Sequence, residues 1–302
     1  MSHVTAREKA SPPDPVIVSW SGLKRWEFCP QQQLRTIQHK TQKSSKGRIF
    51  LPGTVADLTM RRWLDDPTAC DLIDQVAVVF DEVVNQAESK IYWNGDPKKD
   101  QEAVKAQVRT ALTNLEPWLR KEVLPYDYAP EWRFKAHMTV PYICGGEGAK
   151  APVTLIGGVD VLVRDDKGKF KIFDLKMTTS DQYVRSTLGQ LTFYDIAVCL
   201  VNADFSVTDE WALIAPLHPE FKIASSVTDE DRQYMLSRII KYAQGVWNDN
   251  WDPKPDDKGC NWCEARGACE KFKSVATVEE NGKMLLSFAQ AAAQRSKFRT
   301  DT

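Results

Sequence analysis

No stretch of the 302-residue sequence approaches the ~20 consecutive apolar residues needed to cross a bilayer, so an integral membrane protein is not expected. The opening residues, MSHVTAREKASPPDP, lack the apolar core of a secretory signal, which points to a reducing, cytoplasmic setting. Seven cysteines are an odd number for a disulfide framework and suit metal ligation better in such a compartment. A net charge of −1 offers no global basic signature for nucleic acid. There is no Gly-x4-Gly-Lys-Ser/Thr loop, so the chain does not unwind DNA by itself, and there is no internal repeat. His137 and His218 have no ligand-spaced neighbour and read as structural histidines.

What is present is an ordinary globular composition, long enough for one large domain or two small ones. Charge is uneven: residues 1–48 hold nine Lys/Arg against three Asp/Glu, and residues 49–129 hold nine against fourteen. A basic arm can meet phosphates or simply be solvated. Residues 1–18, rich in proline, read as a flexible lead-in. Helical spacing begins at Ser19, reopens at Pro52-Gly53-Thr54, and recurs over Leu72–Val84 and Val104–Leu119. After Pro130 the period becomes two, with strands expected over 131–143, 153–164, 169–178, 207–216 and 220–226. Helices are expected over 188–201 and 229–247. The order predicts an α/β chain, a mixed sheet with helices on its faces behind an α-helical N-terminal part. The tail from Ser274 reads as a loose amphipathic helix.

The hairpin Leu155-Ile-Gly-Gly-Val-Asp160-Val-Leu-Val and Phe170-Lys-Ile-Phe-Asp174-Leu-Lys176 is the most informative stretch. A three-residue turn with Gly168 in the left-handed position places Asp160 opposite Asp174, with Lys176 on the same face. Val159, Val161, Val163, Phe173 and Leu175 then share the other face; a two-residue turn would scatter them. Two carboxylates ~5 Å apart repel by about 3 kcal/mol at an effective dielectric of 20. A lysine offsets part of that and Mg²⁺ or Mn²⁺ the rest. The competing reading is a surface hairpin that never meets a metal.

Asp57 follows Gly53 on a helix, and Gln190 and Tyr194 project together at i, i+4. Gly-x3-acid, Gly-x-Asp, Asp-x-Lys and Gln-x3-Tyr in this order resemble the RecB-like branch of the PD-(D/E)XK nuclease superfamily. The resemblance implies a central sheet of the restriction-endonuclease-like type. It implies that Asp160 and Asp174 are metal ligands, with the Leu175 main-chain carbonyl as a further one. Lys176 would position or help activate the attacking water, and Gln190 and Tyr194 would contact DNA. Asp57 stands where relatives often carry His or Glu, leaving open whether it binds metal directly or through water.

Cys260-x2-Cys263-x5-Cys269 supplies three thiols, and Cys29 is the best candidate for a fourth. This pattern resembles the iron–sulfur staple of AddB-type and CRISPR-associated RecB-like exonucleases, which implies a 4Fe–4S cluster tying the two ends of the nuclease domain. Zinc is the rival occupant. Cys199, in an apolar run, reads as a core residue, and Cys70 and Cys144 have no partner pattern.

The expectation is therefore a flexible segment 1–18, a nuclease domain 19–272 and a tail 273–302. The resemblance implies a metal-dependent deoxyribonuclease, an exonuclease on single-stranded DNA or DNA ends. Its partners would be a helicase, recombinase or replication protein, in a phage or bacterial setting. The rival from another class is a catalytically idle nuclease fold used for DNA binding or assembly, to which the substituted Asp57 lends some support.

Overall fold

The computed structural model describes residues 13–39, 50–86, 91, 93, 95–142, 148–204, 207–254, 260, 263 and 269. The elements in chain order are β1 (Val16–Val18), α1 (Trp20–Phe28), α2 (Pro30–His39), α3 (Leu51–Asp65), α4 (Val76–Asn85) and α5 (Pro97–Glu122). There follow β2 (Asp127–Pro141), β3 (Lys150–Arg164), β4 (Phe170–Leu175), α6 (Asp181–Thr187), α7 (Gly189–Asn202), β5 (Thr208–Ile214), β6 (Lys222–Ser225) and α8 (Asp229–Trp247). The chain divides into two units, one of residues 1–23 and 43–249, the other of residues 24–42 and 250–302. No described helix is long and apolar enough to cross a membrane.

The first unit holds the expected mixed sheet. Strand β3 pairs antiparallel with β2 along its length, Asp127↔Arg164 through Pro141↔Lys150. Its other edge is shared: β1 lies parallel to Val153–Leu155, and β4 lies antiparallel to Val161–Arg164. β5 then runs parallel to β4, and β6 antiparallel to β5. The β3–β4 register matches the one predicted, Val161↔Phe173 through Arg164↔Phe170. Gly168 takes φ 76°, and the turn closes through Asp165, whose carboxylate accepts from the Lys167 and Lys169 N–H groups at 2.9 Å.

One sheet face carries Val161, Val163, Phe173, Ala212 and Ile214 into a core with α3, α4 and α5. The stripe Val104, Val108, Leu112, Leu115, Leu119 buries α5 there, and Leu51, Val55, Met60 and Trp63 bury α3. Residues of opposite phase, Leu162, Ile172 and Leu213, are buried as well. On that side α7 packs against β2, β3, β4 and β5, and α8 packs against α7 and β1. Every residue from Leu191 to Cys199 is buried, including Cys199, as a core thiol should be.

Three expectations change. Residues 16–18 are not part of a lead-in: Val16 and Val18 are buried in a strand too short for periodicity to reveal. The stretch 72–84 opens as a 3-10 turn, Leu72–Gln75, before α4 begins. The segment before α7 is a separate short helix, α6, capped by Ser180. The tail after Ser274 and Cys144 lie outside the described residues.

A buried ion pair locks α7 to its neighbours. Asp195, fully buried, accepts from Arg232 Nε of α8 at 2.6 Å and from Trp211 Nε1 of β5 at 2.9 Å. Arg232 also pairs with Asp229 at 2.9 Å, so removing Asp195 leaves the arginine one partner and strands the Trp211 N–H. Asp195→Ala is expected to cost about 2–3 kcal/mol of unfolding free energy in urea titrations, and a loss below ~1 kcal/mol would contradict this role.

Candidate active site

The β3–β4 ladder stops one step before the two aspartates meet. Val161↔Phe173 is the last pair, and Asp160 and Asp174 come next on the two strands. There the Leu175 N–H donates to Asp160 Oδ2 at 2.8 Å, a side-chain bond where a ladder bond would have been. β4 meanwhile stays with β5, Asp174↔Leu213 and Leu175↔Ile214, and the Lys176 N–H reaches Ile214 O at 2.8 Å. The strands thus diverge at the two carboxylates. Both aspartates share the phase of Leu162 and Ile172 and so project toward α7.

Lys176 Nζ forms an ion pair with Asp174 Oδ2. Asp174 is only 1% exposed. Burial raises its pKa, and Lys176 opposes the rise. For Asp160, burial and then the charges of Asp174 and Asp57 push the pKa well above the usual carboxylate range, against Lys176 and the Leu175 N–H. Burial works against the charge of Lys176, but Asp174 and Asp160 outweigh it and hold its pKa above the ordinary lysine value. The two carboxylates thus favour the charged form of the lysine.

Asp57, on α3, lies close enough to raise the Asp160 pKa, but it is not an open ligand. Arg61, one turn later, donates Nε to Asp57 Oδ1 at 2.8 Å and Nη2 to Oδ2. The Arg61 Nη1 group also pairs with Glu131. Glu131 falls between Pro130, opposite Val161, and Trp132, opposite Val159, so it stands across from Asp160. Its φ of 50° is in the left-handed region, uncommon for a side chain of this kind. Arg61 and Glu131 were missed from sequence. The Asp57-x3-Arg61 spacing is a readable signal, whereas nothing in Pro130-Glu131-Trp132 announces the kink.

Gln190 and Tyr194 are brought to the same place. The Gln190 amide donates to the Tyr194 hydroxyl. Burial, and then the charges of Asp174 and Asp160, raise the Tyr194 pKa, so the phenol stays neutral beside the carboxylates. Its ring meets Phe134 of β2 edge-on, centroids 5.9 Å apart. Phe134 in turn covers Gly157, where a Cβ would come within 2.7 Å of the ring. Among the described residues, no three Asp, Glu, His or Cys side chains stand gathered as a metal-binding group. The pair Asp160 and Asp174 still fits an oxygen-ligated divalent ion, since buried Asp174 and half-buried Asp160 have Lys176 as their nearby counter-charge.

The cysteines behave differently. Cys29, Cys260, Cys263 and Cys269 all belong to the second unit, and Cys70 and Cys199 to the first. Cys29 Sγ accepts from the Lys254 N–H at 3.5 Å, and the Cys263 N–H donates to Cys260 O at 3.3 Å across the Cys-x2-Cys turn. These four thiols, all among the described residues, are not gathered into a metal-binding group either.

Residues 18–270 match the PD-(D/E)XK nuclease superfamily. The chain belongs to that superfamily. Its members are metal-dependent hydrolytic nucleases, and the Asp160, Asp174 and Lys176 cluster sits where strand divergence brings acidic and basic groups together. No curated protein matches the chain. Among solved structures, the crystal structure of SSO0001 is similar at 14% identity and a TM-score of 0.34, over 83% of this chain and 95% of that one.

The electrostatics give a test without a substrate. A native-state pKa raised above the unfolded value, about 4 for aspartate, means that stability falls as pH climbs from there through the native pKa. With divalent metal chelated, Asp160→Asn should therefore melt a few degrees above wild type at pH 8. The gap should close as pH falls below about 4, where the carboxyl becomes neutral in both states. A variant less stable than wild type at pH 8 in calorimetry would show that the carboxylate repulsion is not what the burial implies.

Proposed function

We propose that the protein is a Mg²⁺- or Mn²⁺-dependent deoxyribonuclease of the RecB-like branch, an exonuclease acting on single-stranded DNA or DNA ends. The observation that carries this reading is the placement of Asp160, Asp174 and Lys176 together where β3 and β4 part. Asp160, Asp174 and the Leu175 carbonyl would hold the ion. A divalent cation bound there would polarise the scissile phosphate and acidify a water molecule. Lys176, kept protonated, orients the attacking oxygen and stabilises charge on the phosphate. Gln190 and Tyr194, coupled by their hydrogen bond, position the DNA backbone from the α7 side. Asp57 contributes once Arg61 releases it.

The matched span, 18–270, supports one nuclease domain over 19–272 that includes all four staple cysteines. A 4Fe–4S cluster on Cys29, Cys260, Cys263 and Cys269, with zinc as the alternative, is supported by their order and by their membership of one unit. Without a helicase motif the enzyme works with a helicase, recombinase or replication protein, in phage or bacterial recombination, replication or CRISPR-type processing, in the cytoplasm. A second reading, an idle nuclease fold that binds DNA or assembles with partners, draws on the ion pair that occupies Asp57.

Anaerobically purified protein with Mn²⁺ should degrade labelled single-stranded DNA. Asp174→Ala should abolish cleavage, and Lys176→Ala should lower kcat by roughly 10²–10³. Folded wild-type protein that binds DNA without cutting it would favour the idle reading. Iron and sulfide analysis decides the staple: four of each per chain with a broad visible absorbance for the cluster, one colourless zinc for its rival.

A further inference from the structure

Beside Gln190 the surface carries an aromatic and cationic strip that the cleavage chemistry does not use. Gly189 opens α7, and a Cβ there would lie 3.0 Å from the Trp20 ring and 3.6 Å from Arg238 Nη1. Trp20 is therefore pressed onto the backbone next to Gln190, and its inner edge meets buried Phe193, centroids 6.3 Å apart. Arg238 of α8 lies over the Trp20 ring at 5.2 Å and beside the Tyr234 ring at 5.7 Å. Tyr234, one turn earlier on α8, is 67% exposed, and Lys241 is exposed on the same helical face. The order from the site outward is Gln190, Trp20, Arg238, Tyr234.

Tyr234 offers an open ring surface beside the Arg238 guanidinium. A flat cation between two rings suits a phosphate, and a ring on the open side suits an unpaired base. The acidic first turn of α8, Asp229–Asp231, repels phosphate and ends the strip at Tyr234. We propose that Trp20, Arg238 and Tyr234 form a track for single-stranded DNA running from Gln190 across α8, with Tyr234 stacking a nucleobase and Arg238 holding a backbone phosphate. This deepens the nuclease reading and rests on it, because it supplies a reason for preferring single strands: a paired base cannot reach Tyr234.

The test is fluorescence anisotropy of the full chain, without Mg²⁺ or Mn²⁺, on a labelled single-stranded oligodeoxynucleotide and on a blunt duplex of equal length. Tyr234→Ala is expected to weaken single-strand binding about ten-fold and Tyr234→Phe hardly at all, with the duplex unaffected. Arg238→Gln should weaken binding and flatten the dependence of log Kd on log salt by about 0.7. Thermal midpoints equal to wild type confirm that the variants are folded. If Tyr234→Ala and Arg238→Gln bind single strands as wild type does, while wild type cleaves DNA with Mn²⁺, the track is overturned and the nuclease stands. If wild type neither binds nor cleaves DNA, the nuclease reading falls, and the track with it.

Discussion

Two aspartates on neighbouring strands repel each other, and the sheet is arranged around that repulsion. An intact ladder would hold Asp160 and Asp174 side by side with no room for a counter-charge. Parting the strands costs ladder bonds, and the Leu175 N–H recovers one by turning to Asp160. β4 can leave β3 because β5 keeps it paired on the other side, through Leu175 and Lys176. Lys176 then falls on the same face as the carboxylates and neutralises one of them. The local deficit is tolerated because the opposite phase of the same strands is anchored in the α3–α5 core.

The remaining charges follow from the same constraint. Asp57 would add a third negative group to the cleft, and Arg61 offsets it within its own helix. Glu131 shares that guanidinium and also pairs with Arg133 at 2.6 Å. The cleft thus gathers four carboxylates, Asp57, Glu131, Asp160 and Asp174, against two cations, Lys176 and Arg61. Each cation stands beside a carboxylate, Arg61 by Asp57 and Lys176 by Asp174. On α7, the buried Asp195–Arg232 pair fixes the helix that carries Gln190 and Tyr194 without lending charge to the cleft.

Much of this was legible in the residues. The hairpin register followed from Gly168 and from keeping Val161, Val163 and Phe173 on one face, and α5 and α8 followed from apolar spacing. The register brings Asp160 and Asp174 to neighbouring places, but the ladder ends one pair short of them, and the Leu175 N–H turns to the Asp160 side chain instead. What stayed hidden depends on contacts far apart in the chain. β1 is three residues whose strand character comes from pairing with Val153–Leu155. Glu131 reaches Arg61 through a left-handed backbone, and the α6–α7 break at Leu188 falls directly before Gly189, a signal read over in the sequence.

Gly157 holds no ion and carries no side chain to reach a substrate, yet that missing side chain sets the depth at which Phe134 rests, and Phe134 sets the tilt of Tyr194. Those three residues belong to three different elements: β3, β2 and α7. At position 157 an added methyl would push the tip of the Phe134 ring, and through that ring the clash would be felt at Tyr194 on a third element.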